Sequence, residues 1–461
     1  MELVSQRAIT LVKPRRDSFK SPKPDAPRVL VYDIFSEVNR RGGYSNLLLP
    51  QALNASNFEQ RDKGFATELL YGTLRMQGRH DYILAQVSDR PWSEVDEGIV
   101  DICRLGVHQL FEMRVATHAA VSATVELARK VIGESKASFV NAILRKVSAK
   151  SLEEWMEPVL LMSDPVSRLS IQYSHPEWIV SAYFDLLKDF DRVEAELSAN
   201  NVPAMPTLVS WPGSSTQEEL VAEGGVATRY SPYGAKFDGP PGSLDLIRHR
   251  KAGVQDEGSQ LVALAFSSAT QSAKSVLDLC AGPGGKAALI SHICDVEGRD
   301  FVANEVSEAR AKLVKNVVGR FPVWVGDGRE IASHDEHFDA IIADVPCTGL
   351  GALRRRPEVR WRRTLQDLRA LTELQLELSN AAITALNAGG IFAYATCSPH
   401  FAETFGQVKM IVKAHPELEQ IDVSPYLPTS LQGAVRDKCM ALWTSVHDTD
   451  SMFLALFKKS T

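Results

Sequence analysis

From Ala252 onward the chain alternates short apolar runs with stretches of helical spacing, and no other feature constrains its fold as strongly. Ser275–Leu279, Phe301–Asn304, Phe321–Val325, Ala340–Asp344 and Ile391–Thr396 read as strands. Lys286–Ile293, Ala309–Val318 and the long Leu365–Ala385 read as helices. Such alternation requires parallel crossovers, so an open, doubly wound α/β sheet is expected. Pro322 falls at the start of its strand, where a missing N–H is tolerated. Ligands of these sheets bind beyond the carboxyl ends of the strands. The residues just after each strand therefore become the candidate site.

Upstream the period changes. Val31, Ile34, Phe35 and Val38 recur at three- and four-residue intervals, as do Ala66, Leu69, Leu70 and Leu74. Ile99–Phe111, Val121–Ala128 and Phe139–Val147 repeat the pattern, which predicts an all-α bundle of four or five helices. Cys103 lies on one of these stripes and reads as core filler. Between residues 165 and 245 a helix over His175–Leu187, a strand over Thr207–Trp211 and the loop Gly239-Pro240-Pro241-Gly242 suggest a small α/β connecting module. There His175 and Trp178 read as packing residues. Residues 1–25 hold six basic residues and three prolines, and read as a mobile basic tail. The division expected is a tail (1–25), a helical bundle (26–160), a connector (161–250) and an α/β domain (251–461).

Composition narrows the function classes. The chain has 461 residues, 44% apolar and 23% charged, which excludes a disordered or collagen-like chain and a disulfide mini-scaffold. No run reaches the ~18 apolar residues of a membrane span. Ala8–Val12 leads straight into Lys13, Arg15 and Arg16, so no secretory signal is read and a cytoplasmic monomer is expected. Residues 1–150 carry 22 Lys+Arg against 17 Asp+Glu, and the remainder 29 against 40. That asymmetry suits a polyanion-facing module on an acidic body. None of the six cysteines forms a C-x-x-C pair, so no zinc or other metal site is expected.

The run Asp278-Leu279-Cys280-Ala281-Gly282-Pro283-Gly284-Gly285-Lys286 is a strand end, a Gly-rich turn and a helix start. Its glycines admit a ligand close to the backbone, and the helix start offers free N–H groups. It is neither G-x-G-x-x-G nor a phosphate loop. Glu305 ends the next strand, where a carboxylate can accept from both hydroxyls of a ribose. Asp327 ends the third, within reach of an adenine amino group. Three such positions in register favour an adenosyl ligand. Cys347, in Asp344-Val345-Pro346-Cys347-Thr348-Gly349, and Cys397, in Ala395-Thr396-Cys397-Ser398-Pro399, each follow a strand and fall on that same edge, where nucleophiles belong.

DLCAGPGGK, ADVPCTG and ATCSPH, with Gly253–Gln260 before the sheet, resemble the RsmB/NOP family of RNA cytosine-5 methyltransferases. The helical third resembles a NusB-type RNA-binding module through Arg61-Asp62, Glu68–Gly72 and Phe139–Arg145, as in the ribosomal small-subunit methyltransferase B branch. The resemblance implies a Rossmann-like domain binding S-adenosyl-L-methionine through Cys280–Lys286, Glu305, Asp327 and Asp344. It implies that Cys397 attacks carbon 6 of cytosine, that Asp344 binds the base, that Cys347 releases the product and that Lys286 lies near the reaction centre. Cys280 is expected to contribute backbone, not thiol. The substrate implied is a cytosine of 16S ribosomal RNA, with transfer RNA as an alternative. Two departures stand out: Glu305 where many relatives have Asp, and Pro399–Thr404 where many have a more acidic run. The second is expected to touch only local helix-capping contacts.

Arg354, Arg355, Arg356, Arg360, Trp361, Arg362 and Arg363 form a run of six arginines and one tryptophan, read as a phosphate clamp with a stacking ring. Two rival readings remain at this stage. A non-catalytic RNA-binding or antitermination factor predicts RNA binding indifferent to cofactor and thiols. A nicotinamide oxidoreductase is disfavoured by the missing G-x-G-x-x-G.

Overall fold

A computed structural model describes residues 25–461. Apart from Asp25, the expected basic tail lies outside the described residues. Asp25 opens the first helix, Ala26–Arg41, by accepting the Arg28 N–H at 3.1 Å, with Pro27 in the first turn. Seven helices lie between Ala26 and Val147, not four or five. The two unexpected ones, Ser45–Ala55 and Gln77–Val87, bury only thin apolar stripes (Leu49 in one; Ile83, Leu84 and Val87 in the other), too sparse to stand out as a period. Leu69, Leu70, Leu74, Leu105, Leu127 and Leu144 meet in the core without exposure. Cys103 joins them, and burial pushes its thiol up. A further helix, Leu152–Leu160, closes the bundle, its Trp155 Nε1 donating to the Val147 carbonyl at 3.0 Å.

The connector begins with three helices, Pro165–Gln172, Glu177–Leu187 and Phe190–Ala199. An antiparallel sheet follows, built from β1 (Thr207–Ser210), β2 (Val226–Ala227), β3 (Gly234–Lys236) and β4 (Ala252–Val254) in the order β2-β3-β1-β4. The expected boundary at 250/251 is therefore corrected: β4 pairs with β1, Leu208 opposite Val254, and belongs to the small sheet.

Five parallel strands form the heart of the last domain: β5 (Ser275–Asp278), β6 (Asp300–Glu305), β7 (Val323–Val325), β8 (Phe338–Asp344) and β9 (Leu386–Thr396). Their spatial order is β7-β6-β5-β8-β9. The chain winds outward from β5 through β7, then crosses back to place β8 on the other flank of β5. This reversal opens a crevice at the carboxyl ends of β5 and β8. The C-terminal strands were not anticipated: β10 (Leu418–Ile421), β11 (Val435–Arg436), β12 (Cys439–Ala441) and β13 (Phe453–Lys459). β13 pairs antiparallel with β9, so the sheet is mixed. Its residues 453–457 are buried as a continuous apolar run, without the polar alternation that marks a half-exposed strand. Among the described residues, no helix is long and apolar enough to cross a membrane. No cluster of three or more His, Cys, Asp or Glu there could hold a metal.

Candidate active site

The carboxyl ends of the parallel strands carry the expected residues. β5 ends in Asp278, buried at 1% exposure with Oδ1 lacking a hydrogen-bond partner. Burial, then the charge of Asp344, pushes its carboxyl up to about 7. Gly284 sits at φ +118°, where a Cβ would come within 2.8 Å of Val317 Cγ2. It opens the helix Gly285–Glu297, whose first N–H groups have no side-chain cap. Cys280 is half-buried, and burial with Asp278 beneath it pushes its thiol well up, so it remains protonated.

β6 ends in Glu305, whose carboxylate accepts the Gly282 N–H at 3.0 Å, the Ser307 N–H at 2.8 Å and Arg310 Nη2 at 2.6 Å. A Cβ on Gly282 would collide with that carboxylate at 2.0 Å. Arg310 is a site residue that sequence reasoning missed; its only signal is a cation five positions past an acid at a strand end. Asp327 follows β7 and caps the turn Gly328–His334, with Arg329 donating to its carboxylate at 2.6 Å and lowering its pKa. An uncapped helix start, a glycine cradle and an acid beyond β6 suit the carboxylate, backbone approach and ribose of an adenosyl sulfonium.

The reactive groups lie beyond β8 and β9. Asp344 stands opposite Ala395 in the parallel register, which brings the following loops together. Cys347 Sγ and Cys397 Sγ are 3.3 Å apart, both half-buried. A hydrogen bond from the Cys347 thiol brings Cys397 down to about 7 against the cost of burial, with the Arg356 and Lys286 charges helping. Cys347 moves the other way, raised first by that same hydrogen bond and then by burial. The two thiols therefore titrate as a pair in which the charge is favoured on Cys397. Lys286 Nζ donates to Asp344 Oδ2 at 2.8 Å; burial lowers its pKa, and the Asp344 carboxylate more than reverses this.

The arginine run is the main correction. Arg360 is fully buried and donates to Asn201 Oδ1 at 2.8 Å and to the carbonyls of Ser174 at 3.1 Å, Asn200 at 3.3 Å and Arg75 at 3.4 Å. Trp361 Nε1 donates to the Leu74 carbonyl at 3.1 Å, its ring against Gly78. Arg362 donates to the Val38 carbonyl at 2.8 Å, and Glu358 accepts from Ser45 Oγ at 2.7 Å. Arg354 bonds Asp448 at 2.8 Å, and Arg355 bonds Asp450 at 3.0 Å. The segment thus ties the α/β domain to bundle and connector, because backbone carbonyls and carboxylates reach these guanidinium groups first. Arg356 differs: it is half-buried beside Gly349, its charge acts on Cys397, and among the described residues nothing accepts its hydrogen bonds.

Replacing Arg360 with Ala leaves three buried carbonyls without their donor. Calorimetry of the Arg360→Ala chain is expected to show a melting temperature lower by roughly 5–10 °C. A melt coincident with the unaltered chain removes the tie.

Fold and site together define a Rossmann-like methyltransferase with a dithiol centre, joined to a helical bundle. The family described as 16S rRNA methyltransferase RsmB/F matches residues 265–458, and the NusB family matches residues 25–149. A Mycobacterium tuberculosis chain with a provisional methyltransferase name is 39% identical, covering 95% of this chain and 97% of its own length. The ribosomal RNA small subunit methyltransferase B of Pseudomonas putida is 31% identical over 82% of this chain and 87% of that one. The crystal structure of PH0851 superposes with a TM-score of 0.77 at 20% identity, covering 95% of this chain and 99% of that one, a likeness of fold. The chain belongs to the RsmB/F family of S-adenosylmethionine-dependent RNA methyltransferases, and its N-terminal bundle is a NusB domain.

Proposed function

We propose that this protein methylates carbon 5 of a cytosine in small-subunit ribosomal RNA through a covalent adduct with Cys397. The observation that carries the proposal is the pair of sulfurs, 3.3 Å apart on the loops that follow β8 and β9. Carbon 5 of cytosine is a poor nucleophile within an aromatic ring. Addition of the Cys397 thiolate to carbon 6 breaks the aromaticity and makes carbon 5 enamine-like. The ion pair of Asp344 with Lys286 meets the base edge and the charge that builds there. S-adenosylmethionine, when bound, supplies the methyl group to carbon 5. The Cys280–Lys286 loop, Glu305, Asp327 and Asp344 are the residues that would hold it, with Arg310 bracing Glu305.

Release requires loss of the proton at carbon 5. Cys347, once its own thiol proton has passed to solvent, takes the carbon 5 proton as thiolate, the carbon 5–carbon 6 double bond re-forms, and the Cys397 thiolate leaves. Conversion of Cys397 to a thioether removes the first cause of the raised Cys347 pKa and so eases the loss of its proton, with burial and Glu403 still raising it. Arg356, which with Arg363 is one of two guanidinium groups of the run without an acceptor among the described residues and whose charge acts on Cys397, is the one we assign to RNA phosphate. The NusB domain supplies a second RNA-facing surface.

Bisulfite sequencing of RNA from strains with and without the gene tests the reading. One small-subunit cytosine is expected to resist conversion only when the gene is present. Identical ribosomal RNA profiles in the two strains overturn the substrate assignment.

A further inference from the structure

Two cysteines in similar loops have no intrinsic reason to divide into a nucleophile and its protonated partner. Arg356 and Lys286 favour charge on Cys397. Beside Cys347 lies a carboxylate that the reaction outlined above does not use. Glu403 sits in the turn Phe401–Glu403, six residues past Cys397, with no exposure. One of its oxygens accepts the Thr348 N–H at 2.8 Å and Gln375 Nε2 at 3.0 Å; the other accepts the Thr348 hydroxyl at 2.5 Å. Thr348 Oγ1 lies 3.1 Å from Ser398 Oγ, and Gln375 also donates to the Pro346 carbonyl at 2.9 Å. The Tyr394 hydroxyl donates to the Glu403 carbonyl at 2.7 Å. The carboxylate therefore grips both flanks of Cys347 and, through Thr348, the residue after Cys397. All its hydrogen-bond donors are neutral.

We infer that Glu403 is a positioning residue that locks the two cysteine loops together and keeps Cys347 a neutral thiol while Cys397 carries the charge. A buried anion solvated only by neutral donors opposes a second anion nearby, and Thr348 places it one residue from Cys347. The Glu403 charge accordingly contributes to the raised Cys347 pKa, after the thiol pairing and burial. The run Pro399–Thr404 thus reaches into the dithiol centre instead of serving local helix capping alone. The inference rests on the proposed reaction for the roles of the thiols, but their protonation belongs to the resting protein and is measured without RNA or cofactor.

Iodoacetamide labelling of the full chain across pH, with each cysteine peptide quantified by mass spectrometry, tests it. In the unaltered protein Cys397 labels from about pH 7, and Cys347 only under alkaline conditions. Glu403→Gln retains an oxygen for the Thr348 N–H but loses the charge. Half-labelling of Cys347 is then expected about one pH unit lower, about tenfold more thiolate at a given pH. Coincident Cys347 profiles in the two proteins overturn the inference. A second measurement does not depend on Glu403→Gln folding. In Cys397→Ser the thiol–thiolate pairing is gone and Glu403 remains, so Cys347 still labels above the free-thiol value of about 8.5. Labelling at or below that value is equally fatal. An unaltered bisulfite profile would refute the ribosomal cytosine and leave these thiol titrations standing, and the reverse also holds.

Discussion

Cys397→Ser abolishes methyl transfer to RNA, with single-turnover rates at least about 10⁴-fold below those of the unaltered enzyme. A serine hydroxyl stays neutral near pH 7, so carbon 6 is not attacked and carbon 5 remains aromatic. Transfer of labelled methyl from cofactor to RNA is the measurement. In the unaltered chain the rate rises about tenfold per unit of pH below about 7 and levels off above it, because the reactive form is the deprotonated one and Cys397 ionises near 7. Substantial methylation by Cys397→Ser, or a rate that falls as pH rises through 7, sinks the covalent mechanism.

Cys347→Ala should arrest the reaction one step later. Without the second thiol the proton at carbon 5 has no base, the double bond cannot re-form, and Cys397 stays bonded to the methylated base. Denaturing gels of this variant with RNA and cofactor are expected to show a protein–RNA species of slow mobility, formed at close to one per enzyme and absent from the Cys347→Ala/Cys397→Ser double variant. The cost to turnover is about 10²–10⁴-fold, that of removing a proton-transfer group. Free product released at the normal rate, with no adduct, removes Cys347 from the release step. The two variants together separate attack from elimination, which a single loss-of-activity result does not.

The supporting structure bears on how strongly such substitutions act. Lys286 and Asp344 are held 2.8 Å from each other, and the Lys286 charge favours ionisation of Cys397. The post-Cys347 loop runs directly into the buried tie of Glu358, Arg360 and Trp361. The NusB domain is thereby anchored to the loop that carries Cys347.

Much of the catalytic domain was legible because its signals are local. Strand ends at Asp278, Glu305 and Asp344 follow from short apolar runs closed by a polar residue, and glycine at 284 follows from a turn that needs φ +118°. The all-α character of the first third is written in three- and four-residue spacing. Helices with a single strong anchor, such as Ser45–Ala55 around Leu49, fell below that signal. β13 was missed because full burial erases the alternation by which strands are recognised. Glu403 and Arg310 looked ordinary because their importance lies in the groups they contact.

The chain by itself, then, determined the order of its elements, the glycine turn and the two cysteine loops, since periodicity and turn chemistry act over a few residues. Only the tertiary structure decided that sulfurs 50 positions apart stand 3.3 Å from each other. It also decided that Arg360 is sealed among carbonyls of two neighbouring domains instead of facing phosphate. Burial and partner choice set the charge state of a thiol or the use of a guanidinium, and both depend on what packs across the chain from elsewhere.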